Sequence, residues 1–262
     1  MLLAVEIDNS AISFGLFEDE NLIKHFSMAT DVRKTSDEYA VILDGILRFH
    51  NIEKDQIHAA AVASVVPQLT EVILAVIKNL TGLDALTVGK GIKTGFPIKI
   101  DNPAELGADL VANAAAVLAL QQKETKNKKP CVMIDMGTAT TVFAINGAGE
   151  YIGGSILPGI GISLEALHGN TAQLPSVSPT GPIRAIGKNS QEAVRSGVLL
   201  GNAMMIDGFI DRFAEEMKSR EAVSVFVTGE YARTVIPFCK HEARYIPELT
   251  LLGIACIYRN NL

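Results

Sequence analysis

Val132-Met133-Ile134-Asp135-Met136-Gly137-Thr138-Ala139-Thr140-Thr141-Val142-Phe143-Ala144-Ile145 decides the reading of this chain. An apolar strand delivers one carboxylate, a turn of small and hydroxyl-bearing residues follows, and a second strand returns. Gly137 lets backbone N–H groups approach an anion closely, and Thr138, Thr140 and Thr141 add hydroxyl donors. Asp135 can hold a cation that offsets phosphate charge. A weaker echo opens the chain, where Leu2-Leu3-Ala4-Val5-Glu6-Ile7-Asp8-Asn9-Ser10-Ala11-Ile12-Ser13-Phe14-Gly15-Leu16-Phe17 again reads strand, acidic turn, strand. Two such hairpins, each opening about half of the chain, predict a duplicated fold that grips one nucleotide between its halves. Gly, Thr, Asn and Asp also build ordinary β-hairpins. For the first segment alone that plain reading is the better one. In the second, one glycine with three threonines close behind it exceeds what a turn needs.

The 262 residues are 48% apolar, enough for one large domain or two of ordinary size. Two are expected, 1–120 and 121–262, divided at the polar run that holds Lys123, Lys126, Lys128 and Lys129. A net charge of −6 argues against a nucleic-acid partner, whose binding proteins are normally basic. Cys131, Cys239 and Cys256 are an odd set without a close pair, which predicts no disulfide framework and a reducing compartment, the cytoplasm. The N-terminal apolar run is interrupted by Glu6 and Asp8, unlike a signal peptide. The alanine-rich run from Ala108 to Leu120 is too short to span a bilayer and reads as a buried helix, so no membrane is expected. His25, His50, His58, His168 and His241 show no ligand spacing.

Periodicity supplies the order of elements. Strands are predicted at 2–8, 12–18 and 22–29. From Ser36 to Phe49, Tyr39, Leu43, Ile46 and Leu47 recur at helical spacing, with Ser36 as the cap. A strand over 58–66 and a helix over 68–79 follow. The second half repeats the scheme with strands at 131–136, 140–146 and 150–156, a helix at 162–168, a long helix over 190–218, a strand at 223–228 and a final helix. This alternation predicts an α/β layer fold, with ligands beyond strand ends such as Thr228-Gly229.

At Asn102-Pro103-Ala104-Glu105-Leu106-Gly107-Ala108-Asp109, together with the Asp135 hairpin, the chain resembles the type III pantothenate kinases. The likeness extends through Ser64–Pro67, Gly91–Gly95, Gly153–Gly159, Thr171–Pro175, Thr228-Gly229 and Leu249–Leu251. The resemblance implies duplicated ribonuclease-H-like domains of the actin-like ATPase type. It also implies ATP-dependent phosphorylation of pantothenate, the first step toward coenzyme A, in a homodimer using Mg²⁺ and K⁺ or NH₄⁺. On this basis Asp109 is the catalytic base, beside Gly107 and Ala108. Asp135 holds the monovalent cation, Gly137, Thr138 and Gly229 meet ATP, and Ser190 stands at a substrate-binding threonine. Taken without the family, Asp109 reads more simply as a helix-capping residue.

Several positions depart from the family pattern. Aligned on Gly15-Leu16, Glu6 takes the acidic, Mg²⁺-facing position of the first hairpin. Asp8 then replaces a glycine, and Asn9 and Ser10 complete the turn; a local shift would instead make Asp8 the working acid. A second negative charge about 4 Å from phosphate costs about 4 kcal/mol per unit charge at an effective dielectric near 20. Ile100 falls at a substrate-contacting tyrosine and Leu110 at an arginine, and losing an arginine from a buried carboxylate costs about 2–5 kcal/mol. Glu230 replaces a glycine after Gly229. These changes leave open a catalytically impaired paralogue with a regulatory role, or a kinase for another small alcohol.

Overall fold

The computed structural model describes residues 1–124, 129–219 and 222–262. Lys126 and Lys128, expected in the inter-domain run, lie outside them. The strands are β1 (Leu2–Ile7), β2 (Ala11–Glu18), β3 (Asn21–Ala29), β4 (Ala59–Ser64), β5 (Leu86–Thr87), β6 (Cys131–Met136), β7 (Ala139–Ile145), β8 (Tyr151–Pro158), β9 (Ser224–Thr228) and β10 (Arg244–Tyr245). The helices are α1 (Ser36–Phe49), α2 (Pro67–Thr81), α3 (Ala108–Glu124), α4 (Ile160–Gly169), α5 (Ser190–Glu216), α6 (Ala232–Val235) and α7 (Leu249–Asn260). Every element expected from periodicity is present. β5 and β10 were not expected, because two residues are too short to show a period.

The two sheets repeat one topology. The first runs β3-β2-β1-β4-β5 and the second β10-β9-β6-β7-β8, each with its first three strands antiparallel and the remaining strands parallel. This duplication is the ribonuclease-H-like, actin-like ATPase architecture. The compact units are not contiguous halves, however. One comprises Met1–Phe96, Asp101–Leu120 and Glu248–Leu262; the other comprises Pro97–Ile100 and Gln121–Pro247. The simple cut at 120/121 therefore misplaces α7, which packs on β1, β2 and β4 of the first unit. It also misplaces 97–100, where Ile98 bridges Tyr151.

In the first unit, Leu3, Val5 and Ile7 of β1 meet Tyr39, Leu43 and Leu47 of α1 and Leu69, Ile73 and Val76 of α2. Thr35, not Ser36, caps α1. Its hydroxyl accepts from Glu38 N–H at 3.3 Å, while Glu38 reaches back to the Thr35 N–H at 2.8 Å, a reciprocal box that Ser36 is one residue too late to form. Within the first unit, α7 meets α3 so closely that a Cβ on Gly253 would run into the Ala112 carbonyl. The Thr250 hydroxyl donates to buried Asn113 Oδ1 at 2.9 Å, which gives that polar pair an internal partner. In the second unit, Val132, Ile134 and Met136 of β6 pack with Ile160 of α4 and Val198, Leu199 and Ile206 of α5. By length and composition α5 could cross a membrane, but half of its apolar window is buried within the protein, as in a core helix.

Candidate active site

Both hairpin turns sit at the same point of the repeated topology. Glu6, one residue before the end of β1, pairs across to Ser13 and in parallel to Ala63; Asp135, one residue before the end of β6, pairs to Thr141 and Thr228. Glu6 is therefore the topological counterpart of Asp135, and Asp8 the counterpart of Gly137. The pairing sets Glu6, rather than Asp8, level with Asp135.

The first turn is closed by Asp8 N–H donating to the Ala11 carbonyl at 3.0 Å. The Ser10 hydroxyl donates to Asp8 Oδ2 at 3.1 Å, so the carboxylate engages one of the hydroxyls a phosphate would use. None of Asp8, Asn9 and Ser10 has a positive φ. The glycine replaced by Asp8 is thus not required by the backbone, and what the substitution changes is charge and bulk. Asn9 and Ser10 are exposed, while Glu6 and Asp8 are half-buried.

Asp109 is in the first turn of α3, after Gly107, whose carbonyl accepts from Val111 N–H at 3.1 Å. A Cβ at Gly107 would collide with Asp109 Oδ1, and that oxygen is buried without a hydrogen-bond partner. Burial pushes the carboxyl above its usual range; the backbone N–H of Leu110 pulls the other way, Asp8's charge raises it further, and Asp109's own N–H lowers it. A helix N-terminus favours a carboxylate by about 0.3–1 kcal/mol, and here desolvation outweighs it. An orphaned, desolvated oxygen with an elevated pKa suits a base that takes a proton from an alcohol. Simple helix capping does not require a bare Gly107 or a buried, partnerless oxygen.

The second turn is built by close backbone approach. Gly137 N–H donates to the Ala139 carbonyl at 3.1 Å. Gly159, which begins α4, lies where a Cβ would strike the carbonyls of Gly137 and Thr138. Gly229, at φ +98°, leaves room for Asp135: a Cβ there would be 2.5 Å from the backbone of Met136 and 2.7 Å from Asp135 Oδ1. Thr138 is exposed at the tip. Thr141, Asp135's partner across the strands, has a buried hydroxyl with no partner. A carboxylate beside an unsatisfied hydroxyl is a donor set that fits a monovalent cation.

The remaining positions are dispersed. Leu110 is 7% exposed, an apolar side chain buried within the first unit. Ile100 belongs to the second unit, where its Cγ2 is 3.7 Å from the place a Cβ on Gly153 would take. Ser190 starts α5 in exposed surroundings, the capping being done by Asn189, which accepts from Glu192 N–H at 2.9 Å. Glu230 is exposed after Gly229. Two structural roles escaped the sequence reading. Gly253 looks like any helical glycine until α3 is laid against it, and Thr30 after β3 carries no motif signal at all.

Against known proteins, the family described as type III pantothenate kinase matches residues 2–212. A type III pantothenate kinase of Thermobifida fusca is 39% identical over 263 residues, covering 100% of both chains. One from Moorella thermoacetica is 38% identical, again over 100% of each. Among solved structures, a putative 2-dehydro-3-deoxygalactonokinase from Sinorhizobium meliloti aligns with a TM-score of 0.57 at 11% identity, covering 99% of each chain, a likeness of fold alone.

Proposed function

The chain belongs to the type III pantothenate kinase family, and from that premise we propose that it transfers the γ-phosphoryl group of ATP to the hydroxyl of pantothenate, the entry step of coenzyme A synthesis. The observation that carries this reading is Asp109, with a buried, partnerless oxygen in a space cleared by Gly107. Asp109 takes the hydroxyl proton as the oxygen attacks the terminal phosphorus, and the ADP oxygen leaves on the far side. The Asp8–Ser10 turn of the first unit and the Gly137–Thr138 turn of the second each offer donors suited to phosphate, and within the second unit Gly229 keeps the ground beside Asp135 open. Phosphoryl transfer of this kind depends on positioning and charge neutralisation rather than on covalent chemistry by the protein.

Two cations belong to this reading. Glu6 and Asp8 offer hard oxygen donors in the first hairpin. That suits Mg²⁺, which keeps waters and binds through one or two carboxylates and the substrate phosphates. Asp135 with the Thr141 hydroxyl would hold K⁺ or NH₄⁺. When bound, these ions neutralise charge on the transferring phosphates. A homodimer in the cytoplasm completes the proposal; the exposed Met204 of α5 and Ile156 of β8 are apolar side chains available for a subunit contact.

A coupled assay with ATP and pantothenate, run beside Asp109→Ala, tests the reading. Wild-type turnover no higher than the variant's would remove it. That result would favour a second reading, a member of the family that binds without turnover, for which Asp8 in the phosphate turn and apolar Leu110 are the supporting observations. Turnover of an uncharged alcohol in preference to pantothenate would instead point to a different small substrate.

A further inference from the structure

The geometry points to Thr30 as a positioning residue for nucleotide binding, acting from outside the site by clamping the Asp8–Ser10 turn. Its hydroxyl donates to the Asp8 carbonyl at 2.6 Å, and its backbone N–H donates to the Ser10 carbonyl at 3.2 Å. One residue thus holds both ends of the segment that presents Asn9 and Ser10. Thr30 is in turn braced through its neighbour. The Tyr39 hydroxyl accepts from Asp31 N–H at 2.8 Å and donates to the Asp31 carbonyl at 2.9 Å. Tyr39 belongs to the first turn of α1 and is fully buried, and the start of that helix is fixed by the Thr35–Glu38 box. Core packing is transmitted by this route through Tyr39, Asp31 and Thr30 to the turn.

Such a clamp matters for this turn in particular. Asp8 supplies a Cβ and a charge where the corresponding second-half residue is Gly137, so small excursions of the loop swing a carboxylate through the place of the phosphates. Holding the Asp8 and Ser10 carbonyls fixes the direction in which the turn's remaining polar groups face. In the second unit the equivalent support comes from Gly159 against the Gly137 and Thr138 carbonyls, a steric contact and not a hydroxyl.

The inference rests on the reading of the Asp8–Ser10 turn as a nucleotide contact. Thr30→Val keeps the shape of the side chain and deletes its hydroxyl. We expect the KM for ATP to rise about three- to tenfold, the value of one hydrogen bond, with kcat and the KM for pantothenate within twofold of wild type. Thr30→Ser should restore the ATP constant. Equal shifts in both KM values, or no shift in either, would overturn the clamp, since a general loss of structure does not select one substrate. If wild type shows no turnover, the functional reading fails by itself. The clamp is then judged by amide hydrogen exchange at residues 8–11 without ligand: faster exchange in Thr30→Val than in wild type supports it, and equal exchange overturns it. Tyr39→Phe, which leaves Thr30 intact and releases Asp31, keeps the same comparison open if Thr30→Val does not fold, with faster exchange at 8–11 again expected and unchanged exchange overturning the proposal.

Discussion

The turn after β1 and the turn after β6 occupy one topological position in two sheets of the same strand order, yet they are made by different means. The second is made of absences: Gly159 and Gly229 each lack a side chain where a Cβ would run into backbone, and at Gly229 into Asp135 as well. The first is made of hydrogen bonds, through Ser10 to Asp8 and through Thr30 to both turn carbonyls. At Gly159 and Gly229 this steric construction leaves no room for a side chain. Hydrogen-bonded construction admitted Asp8 without a left-handed backbone, and so could change its charge while the fold stayed the same. The repeated topology thus keeps one frame in both sheets while the residues of the two turns differ.

The contrast is tested most severely at Asp109, which belongs to the first unit and is influenced by Asp8. Asp109→Asn should lower kcat by roughly 10²–10⁴-fold, the range for removal of a general base. The same variant should be more stable than wild type at neutral pH. Because Asp109's folded pKa is raised, its contribution to stability is fully present below the ordinary carboxylate value and is lost as pH rises through the raised value. Denaturant titrations from pH 4 to 8 should therefore show wild type losing stability relative to Asp109→Asn.

Next in size is Gly229→Ala. With φ at +98° and Met136 backbone 2.5 Å from any Cβ, it should cost roughly 3 kcal/mol or more, read as a lower denaturation midpoint. Ser64 ends β4 one residue past Ala63, the parallel partner of Glu6, as Gly229 stands one residue past Thr228, the partner of Asp135, and it has no positive φ. Ser64→Ala should cost only about 1 kcal/mol; equal losses at the two positions would break the steric side of the comparison.

Asp8→Gly converts the first turn toward the second. The KM for ATP should fall about tenfold, a discounted share of the unscreened repulsion. The pH at which Asp109 ionises should move down, seen as a shift of the acid limb of kcat to lower pH. Gly137→Asp, the reciprocal change, should weaken ATP binding by at least as much, because that turn has no serine placed as Ser10 is to engage the new carboxylate. A Gly137→Asp enzyme with unaltered ATP affinity would mean that charge in these turns is not felt by the nucleotide. Away from both turns, Thr250→Val removes the hydroxyl that donates to Asn113 Oδ1 in a buried contact and should cost about 1–3 kcal/mol of stability, with KM for both substrates unchanged.

Much of this arrangement was legible in the chain. The apolar strand ending in Asp135, the glycine and threonines after it, and the weaker copy at Glu6–Ser10 are short apolar runs bounded by turn residues, and they marked both hairpins to within about a residue. Helical spacing at Tyr39, Leu43 and Leu47 marked α1, although its cap was taken one residue late because Thr35 and Ser36 are both good caps. Motif residues such as Asp109 were identified, but a capping aspartate and a desolvated base look alike in a sequence. Only burial, the bare space over Gly107 and the charge of Asp8 distinguish them.

The sequence by itself determined the elements and their repetition, since strand and helix periods are properties of neighbouring residues. Tertiary structure alone decided that α7 returns to the first sheet, that Gly253 must admit the Ala112 backbone, and that Thr30 holds the Asp8–Ser10 turn. Those facts depend on contacts between segments remote along the chain; Thr250 and Asn113 meet across 137 positions. A short-range pattern encodes which face of an element is apolar, but not which distant element will cover it, and the pKa of Asp109 is set by that covering.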